Sequence, residues 1–170
     1  MVPSEIKDKI IFFLSGRPGN TIFESVLKPG ADYRFTIDDA RAKYRDVYRE
    51  LNQINGQNNK EAYQNSMWYS IYQSLETNET VRLSQQDFLL NRDMCIISLV
   101  MLTVYIVFSL ISGRYPIELN VILWLIAEII ITKLAAMRKA KRFVHNVIAK
   151  DIHRAKSEKI CNVANEQRNI

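Results

Sequence analysis

Between Met94 and Ser112 the chain runs for nineteen residues without a charged side chain. As a helix rising 1.5 Å per residue, that run is about 28 Å long, close to the ~30 Å hydrocarbon core of a bilayer. Gly113-Arg114-Tyr115-Pro116 follows as a turn. Ile117 to Ala136 is a second apolar run, with Glu118 at its mouth and Glu128 inside it. So short a connection leaves only an antiparallel pair. The alternative, a buried helical hairpin in a soluble protein, needs no uncharged run of this length.

Charge sets the expected orientation. From Lys133 to Lys159 nine Lys and Arg face two acids, Asp151 and Glu158, so this stretch carries +7. The whole chain carries +5, which leaves −2 for the remainder. The basicity begins where the second apolar run ends, a placement suited to anionic headgroups or a bound polyanion. The turn offers Arg114 alone, against Arg92, Lys133, Arg138, Lys139, Lys141 and Arg142 on the other side. The positive-inside rule then puts the turn outside and both termini in the cytoplasm. Tyr115 is placed at the outer interface, and Trp124 at no belt position. The apolar patch at Ile10 to Leu14 is too short for a signal peptide and follows Lys7, Asp8 and Lys9. The two cysteines, Cys95 and Cys161, set up no disulfide framework.

The rest reads as helix. Residues 4–15 form a short amphipathic helix, capped by Ser4 and stopped by Gly16. Arg17 to Arg34 reads as loop around a brief apolar patch. A second helix starts at Thr36, which can cap it with Asp39 three residues on. It continues through Ala40, Tyr44, Val47, Tyr48, Leu51 and Ile54 on one face until Gly56 ends it. A third helix runs from about Lys60 to Leu75, and another from about Val81 enters the first span. The expected fold is an all-α membrane protein. It has a small N-terminal cytosolic helical domain (1–80), a transmembrane hairpin (81–136, spans about 94–112 and 117–136) and a basic cytosolic C-terminal helix (137–170).

The first span carries a polar stripe. At 100° per residue, Ser98, Tyr105, Ser109 and Ser112 fall within about 60° of one another, and Asn91 extends the line inward. Such a stripe can mark helix packing or line water. Glu128 costs about 2.5–3.5 kcal/mol to insert, so it should face protein or water. Folding the hairpin brings it level with about Met101, near Ser98 and Tyr105. It can serve as a protonated hydrogen-bond partner for those hydroxyls, or as one of a ring of carboxylates that favours cations. Two helices enclose no pore, so the second role needs a homo-oligomer, such as a tetramer.

Arg41, Arg45 and Arg49 recur every four residues, a row that could hold phosphates or form a solvated face paired with Asp38, Asp46 and Glu50. With Arg138, Lys139 and Arg142 they are the candidate anion site. His145 and His153 are too far apart on a helix for one metal ion. No zinc pattern, P-loop or nucleophile–base spacing points to an enzyme, a metal or a cofactor.

Three segments carry a resemblance: Ala40-Arg41-Ala42-Lys43-Tyr44-Arg45, Asn65-Ser66-Met67-Trp68-Tyr69 and Phe88-Leu89-Leu90-Asn91-Arg92-Asp93-Met94. Over roughly residues 20–140 the chain resembles a group of small bacterial two-span proteins. Its architecture is similar to membrane effectors of anti-phage systems, the channel effectors of the Hailong type among them. The resemblance implies an oligomeric inner-membrane pore gated by an anionic nucleotide or oligonucleotide, with a nucleotide-synthesising enzyme as partner. A non-conducting anchor that docks a cytosolic protein is the alternative.

Overall fold

The computed structural model describes residues 3–13, 15–30, 32–112 and 117–168, with side chains as far as residue 161, residue 159 excepted. The turn read at 113–116, with Arg114 and Tyr115, lies outside the described residues. Among the described residues there is no strand. The helices are α1 (Ser4–Phe12), α2 (Ile22–Val26), α3 (Ile37–Lys43), α4 (Arg45–Gln53), α5 (Gln57–Ser74), α6 (Glu79–Ser112) and α7 (Leu119–Arg168). A 3-10 turn, Pro18–Thr21, leads into α2. Two helices, α6 and α7, are long and apolar enough to cross a membrane.

The chain does not divide into three consecutive segments. It forms two discontinuous units: Met1–Gly16 with Leu83–Lys141, the hairpin unit, and Arg17–Arg82 with Arg142–Ile170, the globular unit. Each long helix contributes residues to both.

In the globular unit the core joins Ile22, Phe23 and Val26 to Val47, Leu51, Val81, Val147, Ile148 and Ile152. Every residue from 143 to 149 is buried, so this part of α7 is covered on all sides. The basic C-terminal helix is thus also a core helix. Its apolar residues Phe143, Val144, Val147, Ile148 and Ile152 have helical spacing that could have announced this. The segment read as a loop, 17–34, is partly helical. Gln64 of α5, fully buried, accepts the Phe23 N–H at 3.1 Å and donates to Glu24 at 3.0 Å, so it anchors the start of α2. Gly19 sits so close to α5 that a β-carbon there would lie 2.7 Å from Asn65 Oδ1.

Thr36 caps α3 as expected. Its hydroxyl accepts the Asp39 N–H at 3.1 Å, and the Asp39 carboxylate accepts the Thr36 N–H at 3.0 Å. The helix expected from there to Ile54 is instead broken at Tyr44, whose φ and ψ of −106° and 30° are not helical. The cause is tertiary. Tyr44 is buried edge-on against Phe23, with ring centroids 5.1 Å apart, and donates to Asp151 of α7 at 2.8 Å. Gly56, with φ of 86°, then turns the chain into α5. The start of α1 also differs: Pro3, not Ser4, is the N-cap, and no side chain caps it.

In the hairpin unit α6 and α7 pair antiparallel. Cross-contacts join Asp87 to Lys139, Cys95 to Ile129, Ser98 to Glu128 and Tyr105 to Glu118, so the register holds along the pair. The return helix begins at Leu119, two residues after the expected start of the span.

Candidate functional site

Two members of the polar stripe, Ser98 and Tyr105, meet residues of the return segment. Ser98 is 2 % exposed and Ser109 is also buried. Ser98 Oγ lies 3.0 Å from both Glu128 Oε1 and the Met94 carbonyl oxygen. A hydroxyl has one hydrogen, so it serves these two acceptors in turn or shares it between them. Among the described residues no group bonds Glu128 Oε2, and the side chain is half-buried. Tyr105, half-buried, accepts the Glu118 N–H at 3.1 Å. Asn91 donates to the Asp87 carbonyl one turn back at 2.8 Å. Ser112 lines a groove of about 370 Å³ with Thr103, Val104, Val107, Phe108 and Ile111. The sequence placed Glu128 level with Met101; its bond to Ser98 is about one turn away, as the stripe required.

Around this polar seam the surface is apolar. Of the 25 large hydrophobic side chains left exposed among the described residues, 18 lie between Met94 and Leu134. They include Ile111 at 80 %, Trp124 at 68 % and Ile131 at 66 %. No water-facing helix needs such a surface, and contiguous apolar area of this kind marks a contact with lipid or with another chain.

No family model, curated protein or solved structure matches the chain. Its chemistry must therefore be read from its own residues.

The six candidate anion-binding cations fall into different settings. Arg41 lies on α3, and Arg45 and Arg49 on α4, so the break at Tyr44 interrupts their helical row. All three are exposed, and Arg49 pairs with Asp46 at 3.0 Å. A pair this exposed contributes roughly 0–1 kcal/mol. Arg142, also exposed, belongs to the globular unit with these three. Arg138 and Lys139 belong to the hairpin unit. Arg138 is exposed, whereas Lys139 is paired to Asp87 at 2.6 Å.

The globular unit holds a polar cluster that no spacing in the sequence announced, because its two halves, 25–34 and 145–146, lie more than a hundred residues apart. Asp32 takes Arg34 through Nε at 2.8 Å and Nη2 at 2.6 Å, and Arg34 Nη1 donates to Asn146 at 2.7 Å. Burial pushes the Asp32 carboxyl up, but the Arg34 hydrogen bonds and charge outweigh it and hold the carboxyl below its usual range. His145 lies beside it, Nε2 at 3.4 Å from Ser25 Oγ and Nδ1 at 3.8 Å from Asp32 Oδ2. The order Ser–His–Asp resembles a hydrolytic triad. The 3.8 Å separation is too long for a hydrogen bond, however, and Arg34 already occupies the carboxylate that would orient the imidazole. The cluster ties the segment before α3 to α7. Tyr44 makes a second tie to α7: its phenol is raised well above the usual tyrosine range, first by burial and then by the Asp151 carboxylate. Asp39 makes a third, through Lys156 at 2.6 Å. The Lys156 ammonium, with the Thr36 backbone and hydroxyl, lowers the Asp39 carboxyl to about 2.

Among the described residues no group of His, Cys, Asp and Glu could hold a metal ion.

Proposed function

We propose that the chain is an integral membrane protein whose α6–α7 hairpin crosses the bilayer, and that several copies form a cation-conducting pore. The single observation that supports the membrane reading most is the inverted polarity of the hairpin unit, with Ser98 covered and Ile111, Trp124 and Ile131 uncovered. Conduction is supported by Glu128, a carboxyl inside the apolar belt with one oxygen unbonded among the described residues. An acid at that depth persists where it meets water or another polar group. Two helices enclose no lumen, so the pore is a homo-oligomer, a tetramer being one that would serve.

In this reading the turn faces outward and the globular unit is cytoplasmic, following the charge bias across the hairpin. An anionic nucleotide or oligonucleotide binds the exposed cations of the globular unit, Arg41, Arg45 and Arg49 foremost. Opening depolarises the bacterial inner membrane in defence against phage, as the family resemblance implies, and the ligand comes from a nucleotide-synthesising enzyme.

One observation favours a second reading. Ser98 and Glu128 bond one another within a single chain, as they would in a non-conducting anchor that docks a cytosolic protein. Reconstitution separates the two. Liposomes carrying the protein are expected to release potassium when one of a panel of cyclic nucleotides and short oligonucleotides is added, and Glu128→Ala should largely abolish the release. No release with any of these probes, together with a monomer or dimer in mild detergent, would leave the anchor.

A further inference from the structure

We propose that α1 is an intramolecular clasp that grips the base of the helical hairpin, the end remote from the 112–119 connection, and that it can let go while α6 and α7 stay paired. The contact is within the hairpin unit and does not depend on the pore reading.

Three features build the clasp. Its centre is Ile11, 0 % exposed and packed with Cys95 of α6 and Ala136 of α7, so that one side chain bridges both helices. Beside it Phe12 meets Phe88 with ring centroids 6.1 Å apart. Its charges cross-pair: Lys7 Nζ to Asp93 Oδ1 at 3.0 Å, and Arg92 Nη1 to Asp8 Oδ1 at 2.9 Å. The order fixes the register, since exchanging partners would set Lys7 against Arg92 and Asp8 against Asp93. The Arg92 side chain is 9 % exposed and is held further by Asp93 at 3.2 Å and by the Phe88 ring at 5.8 Å from its centroid.

Release is the second half of the inference. A helix of nine residues is too short to persist alone in water, so α1 owes its structure to this docking. It is held by one buried aliphatic side chain, one ring contact and two ion pairs. Such a segment opens before the rest of the molecule does. Opening lifts the Ile11 side of the cover from Cys95, now 2 % exposed and held on its other side by the Ile129 carbonyl of α7, and frees the Arg92 guanidinium from Asp8. Anything that competes for Lys7 or Asp8 would therefore act on the base of both long helices.

Cys95 is a built-in reporter. With Cys161→Ser it is the one thiol left in the chain. In the full-length protein in mild detergent, Cys95 is expected to react slowly with N-ethylmaleimide. Ile11→Asp and Asp8→Arg should each accelerate the reaction by about tenfold or more, in proportion to the open fraction. Adding Arg92→Asp to Asp8→Arg should restore protection. Circular dichroism and elution volume identify any variant that has lost its fold. If Ile11→Asp has, the charge exchange alone decides. Equal rates in the parent and the folded variants overturn the clasp, as does acceleration by Asp8→Arg that Arg92→Asp fails to reverse.

Discussion

In the globular unit Phe23, Val147 and Ile148 are wholly covered, and Arg41, Arg45 and Arg49 face outward. In the hairpin unit Ile111, Trp124 and Ile131 are uncovered, and Ser98 and Ser109 are turned inward. Both units are helical, and two of their helices are the same helices. What differs is which kind of side chain is hidden. In water, covering apolar surface stabilises by roughly 25 cal/mol per Å². In hydrocarbon that driving force is gone, and helices associate through packing and polar contacts instead. In the membrane reading proposed above, the unlike surfaces of one α7 are matched to two solvents.

Three substitutions or conditions break or sharpen this contrast. The largest effect is expected in the globular core. Ile148→Ala should lower its unfolding free energy by about 2–5 kcal/mol, because the cavity adds to the lost burial. Trp68 fluorescence in a Trp124→Phe background reads that transition, since Trp68 packs against Tyr72 and Phe143 in this unit. Next is Ile131→Asp on the uncovered belt. Insertion scales put an acid near the centre of a span at about 2.5–3.5 kcal/mol, so the carbonate-resistant membrane fraction should fall. If the fraction is unchanged, that face of α7 does not meet lipid and the contrast fails. The smallest effect is on acidification. Asp39, lowered to about 2, sits below an unfolded value near 3.9, so its contribution is present above about pH 4 and lost as pH falls toward 2. Its side chain is close to solvent, so the loss should be on the order of a few tenths of a kcal/mol. It should be visible as a shift in the denaturant midpoint that Asp39→Asn removes.

How much of this could be read from the residues depended on how far apart the interacting groups lie. The Thr36–Asp39 cap spans three residues, and its signal is entirely local. The hairpin register needed only a short connection and 1.5 Å per residue to bring Glu128 within a turn of Ser98. The break at Tyr44 could not be read in this way, because local propensity favours continuing the helix. It is enforced by Phe23 and by Asp151, over a hundred residues away. The same is true of the Ser25, Asp32, Arg34 and His145 cluster. The core role of 143–152 is a different case. Its apolar spacing was visible, but the surrounding Lys and Arg suggested a solvated helix.

The discontinuity of the globular unit also has a consequence during synthesis. Its first segment, 17–82, leaves the ribosome before either long apolar run, but Val147, Ile148 and Ile152 are made after both. Until then Phe23, Val26 and Leu51 have no α7 to pack against. The unit therefore closes last, once α6 and the apolar half of α7 have already been made, and a nascent chain stalled before residue 143 would hold a hairpin beside an unfinished, chaperone-prone bundle.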